Sequence, residues 1–214
     1  LAAQGMVLPP ADLLEAAHTL LTVSDTRRRL EHHSSQLPRL WSIGETLSDL
    51  GDVAAEISRG IGPSGEIMDS ASPRLMEIRQ TIISVRQTLV ANLEEYLTST
   101  SGQKLVSDTV VTQREGRYVI PVKAEFRHEV GGIVHDVSNS GATVFLEPWS
   151  TVEQGNELRQ LEAGERDEIE RILGDRSELL GAHRDAIGND IEAMTALDVA
   201  LAKARYAQRN KAVP

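Results

Sequence analysis

The chain contains no cysteine, so no disulfide can staple it and no thiolate can hold a metal. Aromatic residues make up only 3% of it. Aromatic rings bury the most area per side chain, so their scarcity argues against one deep core. It favours thin helix-on-helix packing by Leu, Ile, Val and Ala. No Gly-Lys pair occurs, which excludes a Walker phosphate loop within these residues. There is no signal peptide and no apolar run long enough to cross a bilayer. With the missing cysteines, this leads to the expectation of a cytoplasmic protein with no membrane partner. The first residue is Leu1 rather than Met, which is expected of an excised or processed piece.

What is present is ordinary globular composition, 40% hydrophobic and 25% charged over 214 residues. The formal net charge of -10 argues against a whole surface built for nucleic acid. A local basic patch remains compatible with it.

Proline and glycine punctuate the chain. Pro9 and Pro10 suit a helix start. Leu13, Leu14, Ala17, Leu20, Leu21 and Leu30 then recur at helical spacing, predicting a helix over about 10–37 that ends at Pro38. A shorter helical stretch runs through Leu40, Ile43, Leu47, Leu50, Val53, Ala54 and Ile57. A loop follows at 60–65, and residues 66–69 are read as a small β-ribbon arm. Ser72 and Pro73 supply a cap and a first-turn proline. Beyond them Leu75, Ile78, Ile82, Val85, Leu89, Asn92 and Tyr96 form a narrow three-four seam, which needs a partner helix.

Over 106–147 the grammar changes to β-branched runs separated by turns at Glu115-Gly116, Gly131-Gly132 and Ser138-Asn139-Ser140-Gly141. Pro121 places its strand at an edge or a bulge. After Pro148 helix returns, first with a thin apolar stripe through Leu158, Leu161, Ile169, Ile172 and Leu173, then with an alanine-rich stretch over about 186–210. The fold class is therefore mainly α with a small inserted β module. A helical core and a long antiparallel two-helix lever would carry the β module as a clamp at its tip. The expected segments are a core segment at 1–70, an outgoing lever helix at 71–103, a β clamp at 104–148, and a returning lever helix with a core helix at 149–214.

Catalytic patterns fail on inspection. Gly60-x-Gly62-x-x-Gly65 matches a dinucleotide fingerprint by letter, but a helix precedes it and Pro63 interrupts it. His128-Glu129 lacks a second histidine at zinc spacing, and His32-His33 lies on a polar stretch. His135-Asp136 near Ser138 invites a triad, yet adjacent strand residues point to opposite faces. No catalytic residue and no metal site is expected here, and no cofactor within this piece.

Local charge is more informative. Between residues 104 and 128, Lys104, Arg114, Arg117, Lys123 and Arg127 outnumber Asp108, Glu115 and Glu125. Phosphate contact needs such cations within reach of a nucleic-acid backbone. A solvated β surface is the plainer reading.

Long ungapped stretches now carry a resemblance. They are Leu105–Thr112, Gly116–Lys123, Gly131–Ser138 and Ser140–Pro148, continued by Glu168–Leu173 and Ala202–Ala207. These resemble the second bacterial MutS paralogue family (MutS class two), collinearly over essentially the whole chain. The resemblance implies a core, lever and clamp region. The ATPase, with its ATP and Mg, and any nuclease domain would lie elsewhere in the longer protein. It implies a homodimer closing on branched DNA and suppressing homologous recombination. The alternative it raises is a clamp for ribosomal RNA and protein that splits stalled ribosomes. On that basis Arg114, Arg117, Lys123 and Arg127, then Lys104 and His128, are the expected backbone contacts. A third reading, from the seam, is a pure dimerisation scaffold in which Leu75 to Tyr96 pair between chains.

Overall fold

A computed structural model of the chain describes residues 6–211. It holds eight α-helices and four strands among the described residues. The described residues divide into two units, one up to Ser72 and from Ile169 onward, the other Pro73–Glu168.

The first unit is helical. Helix α1 (Pro10–His32) starts where Pro9 and Pro10 predict, with Pro10 in the first turn. Leu13, Ala17, Leu20, Val23 and Ser24 are its buried line, at the three-four spacing that puts side chains on one face. It ends at His32, short of the expected Leu37. Pro38 does not stop it but opens α2 (Pro38–Gly44), because a proline costs nothing in the first turn of a helix. Helix α3 (Gly51–Ser58) adds Ala54 and Ile57 to the core. Buried Ser24 accepts a hydrogen bond from Leu50 N at 3.1 Å. Helix α8 (Arg184–Arg209) is tied in by the buried Asp190, which accepts Ser48 N at 2.7 Å.

The expected β-ribbon at 66–69 is reduced to one bridge, Ile61 with Ile67, followed by a 3-10 turn at Asp69–Ala71. The glycine-rich stretch is a loop closed on itself. Gly62 N donates to Glu66 O at 2.8 Å, and a Cβ at Gly62 would lie 2.2 Å from the Glu66 carboxylate. No crevice for a pyrophosphate is formed there by these contacts.

The second unit pairs two helices and covers their ends with a sheet. Helix α4 (Pro73–Thr98) buries Leu75, Ile82, Leu89, Leu93 and Leu97. At 26 residues it is about 39 Å long. Its partner is the first part of α7 (Trp149–Ala182). Ion pairs run between them in antiparallel order. Arg74 lies 3.7 Å from Glu168, Arg79 2.7 Å from Glu165, and Arg86 3.2 Å from Glu162. Asn92, the polar position of the seam, donates to Gln154 at 3.0 Å. The seam is thus packed within the chain.

Between the helices come α5 (Gly102–Leu105), β1 (Thr112–Arg114), β2 (Arg117–Lys123), α6 (Arg127–Val130), β3 (Gly132–Val137) and β4 (Thr143–Pro148). The strands form one antiparallel sheet in the order β1-β2-β4-β3. Ile120, Val122, Val144 and Leu146 of the sheet share a core with Leu89, Leu93 and Leu97 of α4 and Leu158 of α7. β1 pairs only with residues 117–119 of β2, so Pro121 faces a side that β1 has already left. Its missing N–H breaks no ladder, and its carbonyl accepts Ser107 N at 2.9 Å.

Candidate nucleic-acid interface

The six basic residues singled out from the sequence fall into two groups in the sheet unit. One group is spent on internal contacts. Arg114 Nε meets Asp136 Oδ2 at 3.0 Å, and its guanidinium lies 4.1 Å from the Phe145 ring centre. Arg117 is held more tightly. Its Nη1 donates to Glu147 Oε1 at 3.2 Å and its Nη2 to Asn156 Oδ1 at 2.7 Å. The Glu147 side chain is 2% exposed and that of Arg117 16%.

Glu147 is the hub of that contact. Its second oxygen pairs with His135 Nε2 at 2.8 Å. His135 comes into reach because β3 carries an irregularity between Val134 and Asp136, and a bulge of this kind re-aims a side chain. Gly155 of α7 lets the helix approach. A Cβ there would sit 2.4 Å from Glu147 Oε1 and 2.9 Å from Arg117 Nη1. Arg159 of the same helix donates to the Glu115 carbonyl in the β1–β2 turn.

The other group is turned outward. Lys104 lies in the single turn of α5, and Arg127 and His128 open α6; all three are exposed. The Lys123 amine donates to Lys104 O at 2.9 Å and lies 5.9 Å from the Phe126 ring centre. Arg127 Nε donates to His128 Nε2 at 3.0 Å. Taken on to residue 148, the module also contains Glu129, Asp136 and Glu147, so its six acids outnumber its five lysines and arginines. The structure sets two of those acids against Arg114 and Arg117, while Lys104, Lys123, Arg127 and His128 have no ion pair among the described residues.

Catalytic geometry is not assembled by the triad letters. His135 faces Glu147, Asp136 faces Arg114, and Ser138 Oγ accepts Thr143 N at 3.1 Å. Among the described residues no three His, Asp or Glu side chains gather as a metal-holding group. Among the described residues no helix is long and apolar enough to cross a membrane.

The sequence reading did not single out Glu147, Asn156 or Gly155. The one signal for Glu147 was an acid interrupting the apolar run Val144-Phe145-Leu146. An ionised group almost never sits fully buried without a partner, so it called for a cation elsewhere.

Comparison with known proteins bears on the whole span. The chain is 42% identical to "Endonuclease MutS2" of Pelotomaculum thermopropionicum over 97% of its residues. It is 41% identical to the protein of that name from Bacillus velezensis, again over 97%, and 42% identical to that of Geobacillus kaustophilus over 99%. Over the span it covers, this chain belongs to the MutS2 family. No family model matches it. The chain covers 26–27% of the length of these relatives, so it corresponds to about a quarter of a MutS2 protein. The matched span takes in the sheet module and both helices that flank it, as a partial MutS2 region.

Proposed function

We propose that this region is the lever and clamp of a MutS2-type protein, and that its sheet module grips the sugar-phosphate backbone of branched DNA. The observation that carries this reading is the sorting of cations. Arg114 and Arg117 are tied to Asp136 and Glu147 inside the module, while Lys104, Lys123, Arg127 and His128 have no ion pair among the described residues, and all but the half-buried Lys123 are exposed. Phosphate contacts from such groups read shape and spacing rather than base sequence, which suits a branched target.

The lever follows from the α4–α7 pair. Its cross-helix ion pairs and its apolar seam keep the two helices in fixed register, so a push at one end is delivered to the sheet packed at the other. ATP and Mg would act in the remainder of the longer protein, as would the nuclease chemistry in the relatives' name. A homodimer of such arms would close around the junction and so suppress homologous recombination in the cytoplasm.

The test is junction binding by this chain across a salt series, against a Lys104→Gln, Lys123→Gln, Arg127→Gln variant. Losing three phosphate contacts reduces the slope of log K against log salt by about 2.7. An unchanged slope rejects the assignment. Competition by ribosomes that displaces the junction completely would redirect the same patch to ribosomal RNA.

A further inference from the structure

A second basic surface lies on the other unit, at the end of α8. After Asp198 the chain has no acidic residue, while Lys203, Arg205, Arg209 and Lys211 follow. All four are exposed, and Tyr206 among them is 71% exposed. None of the four has an ion pair among the described residues. Several exposed arginines elsewhere are paired. Arg28 pairs with Asp25, Arg59 with Glu56 and Arg171 with Asp175, all on exposed helix surface.

Helical spacing organises the patch. Residues three and four apart are neighbours on a helix surface. Arg209 therefore stands beside both Arg205 and Tyr206, and Lys203 stands on the other side of Tyr206. The pull of the helix dipole on cations accounts for Arg209, in the last turn, and for Lys211 just beyond it. It does not account for Lys203 and Arg205, which precede that turn. Placing Arg205 and Arg209 at i,i+4 sets two like charges side by side, which is unfavourable for the helix alone. An anion lying along the helix reverses that sign.

From this arrangement we infer that the last turns of α8 bind a nucleic-acid phosphate backbone, with Lys203, Arg205 and Arg209 on phosphate oxygens and the Tyr206 hydroxyl as an added donor. Arginine, lysine and tyrosine are among the side chains that make such contacts. The partner class is that of the proposed function, but no residue is shared with the sheet patch, so the two sites fail separately.

The test compares wild type with Arg205→Gln/Arg209→Gln, using the whole chain and two probes, a synthetic four-way DNA junction and an RNA hairpin of equal length. Glutamine keeps helix propensity, and an unchanged melting temperature confirms the fold. The salt slope is expected to fall by about 1.8, so that the variant loses about 10-fold less affinity than wild type between 50 and 200 mM salt. The Lys104→Gln, Lys123→Gln, Arg127→Gln variant reports on the sheet patch in the same assay. A slope unchanged in Arg205→Gln/Arg209→Gln overturns the inference, whatever the sheet variant does. So does a variant that binds both probes like wild type but has lost self-association in sedimentation, since the surface is then a protein contact. Preference for one probe assigns the backbone to DNA or to RNA.

Discussion

Arg117 on β2 and Glu147 on β4 face each other at 3.2 Å with the carboxylate almost wholly removed from water. A buried charge without its partner is far more costly than the pair is favourable. Glu147→Ala should therefore destabilise the chain by about 3 kcal/mol, read as a lower urea midpoint. Loss below about 1 kcal/mol would mean that water reaches Arg117 and that the hub is not structural. The same contact implies that Arg117→Ala weakens folding more than any direct junction contact.

Gly155 and Gly164 lie on the same helix and make opposite predictions. Both exchange a glycine for the better helix former in Gly→Ala, worth up to about 1 kcal/mol. Gly164 has nothing within 4 Å of a Cβ, whereas Gly155 has Glu147 Oε1 at 2.4 Å. Gly164→Ala should raise the melting temperature and Gly155→Ala should lower it. Two shifts of the same sign would refute the close approach of α7 to the sheet.

The core that joins sheet and helices is set by leucines. Leu93 is fully buried on α4 in the cluster that includes Leu146 and Leu158. Leu93→Ala should cost about 2–5 kcal/mol in chemical unfolding. A cost under 1 kcal/mol would indicate that sheet and helix pair do not share that core.

Arg176 gives a pH signature. Its hydrogen bond to Glu56 holds that carboxyl below the usual 4.5, with the charge of Arg176 adding to the effect. A folded-state pKa below the unfolded one stabilises above the unfolded value and is lost as pH falls through the folded value. Wild type should exceed Arg176→Gln in stability at pH 6, and the gap should narrow as pH falls below about 4.5. A gap that is constant with pH would assign the effect of Arg176 to packing alone.

Much of this architecture could be read from local signals. Pro10 and Pro73 mark helix starts, and the turns at Glu115-Gly116 and Ser138–Gly141 separate the strands. The seam from Leu75 to Tyr96 announced a helix that needed a partner. Local signals misled where a residue has two uses, as at Pro38, which stops one helix or starts the next. The pairings across the chain were invisible because they join residues far apart. Arg79 finds Glu165 86 positions away and Arg117 finds Glu147 30 positions away. Charge counting along 104–128 could not show that Arg114 and Arg117 would be matched by Asp136 and Glu147 farther on.

All four lysines of the chain, Lys104, Lys123, Lys203 and Lys211, fall in the two basic surfaces. Lysine-selective labelling read by mass spectrometry therefore reports on contact without any substitution. In the presence of saturating four-way junction at low salt, Lys104 and Lys123 should lose reactivity and regain it when salt releases the DNA. Equal labelling of Lys104 and Lys123 in the free and the fully bound chain would contradict a clamp that grips phosphate.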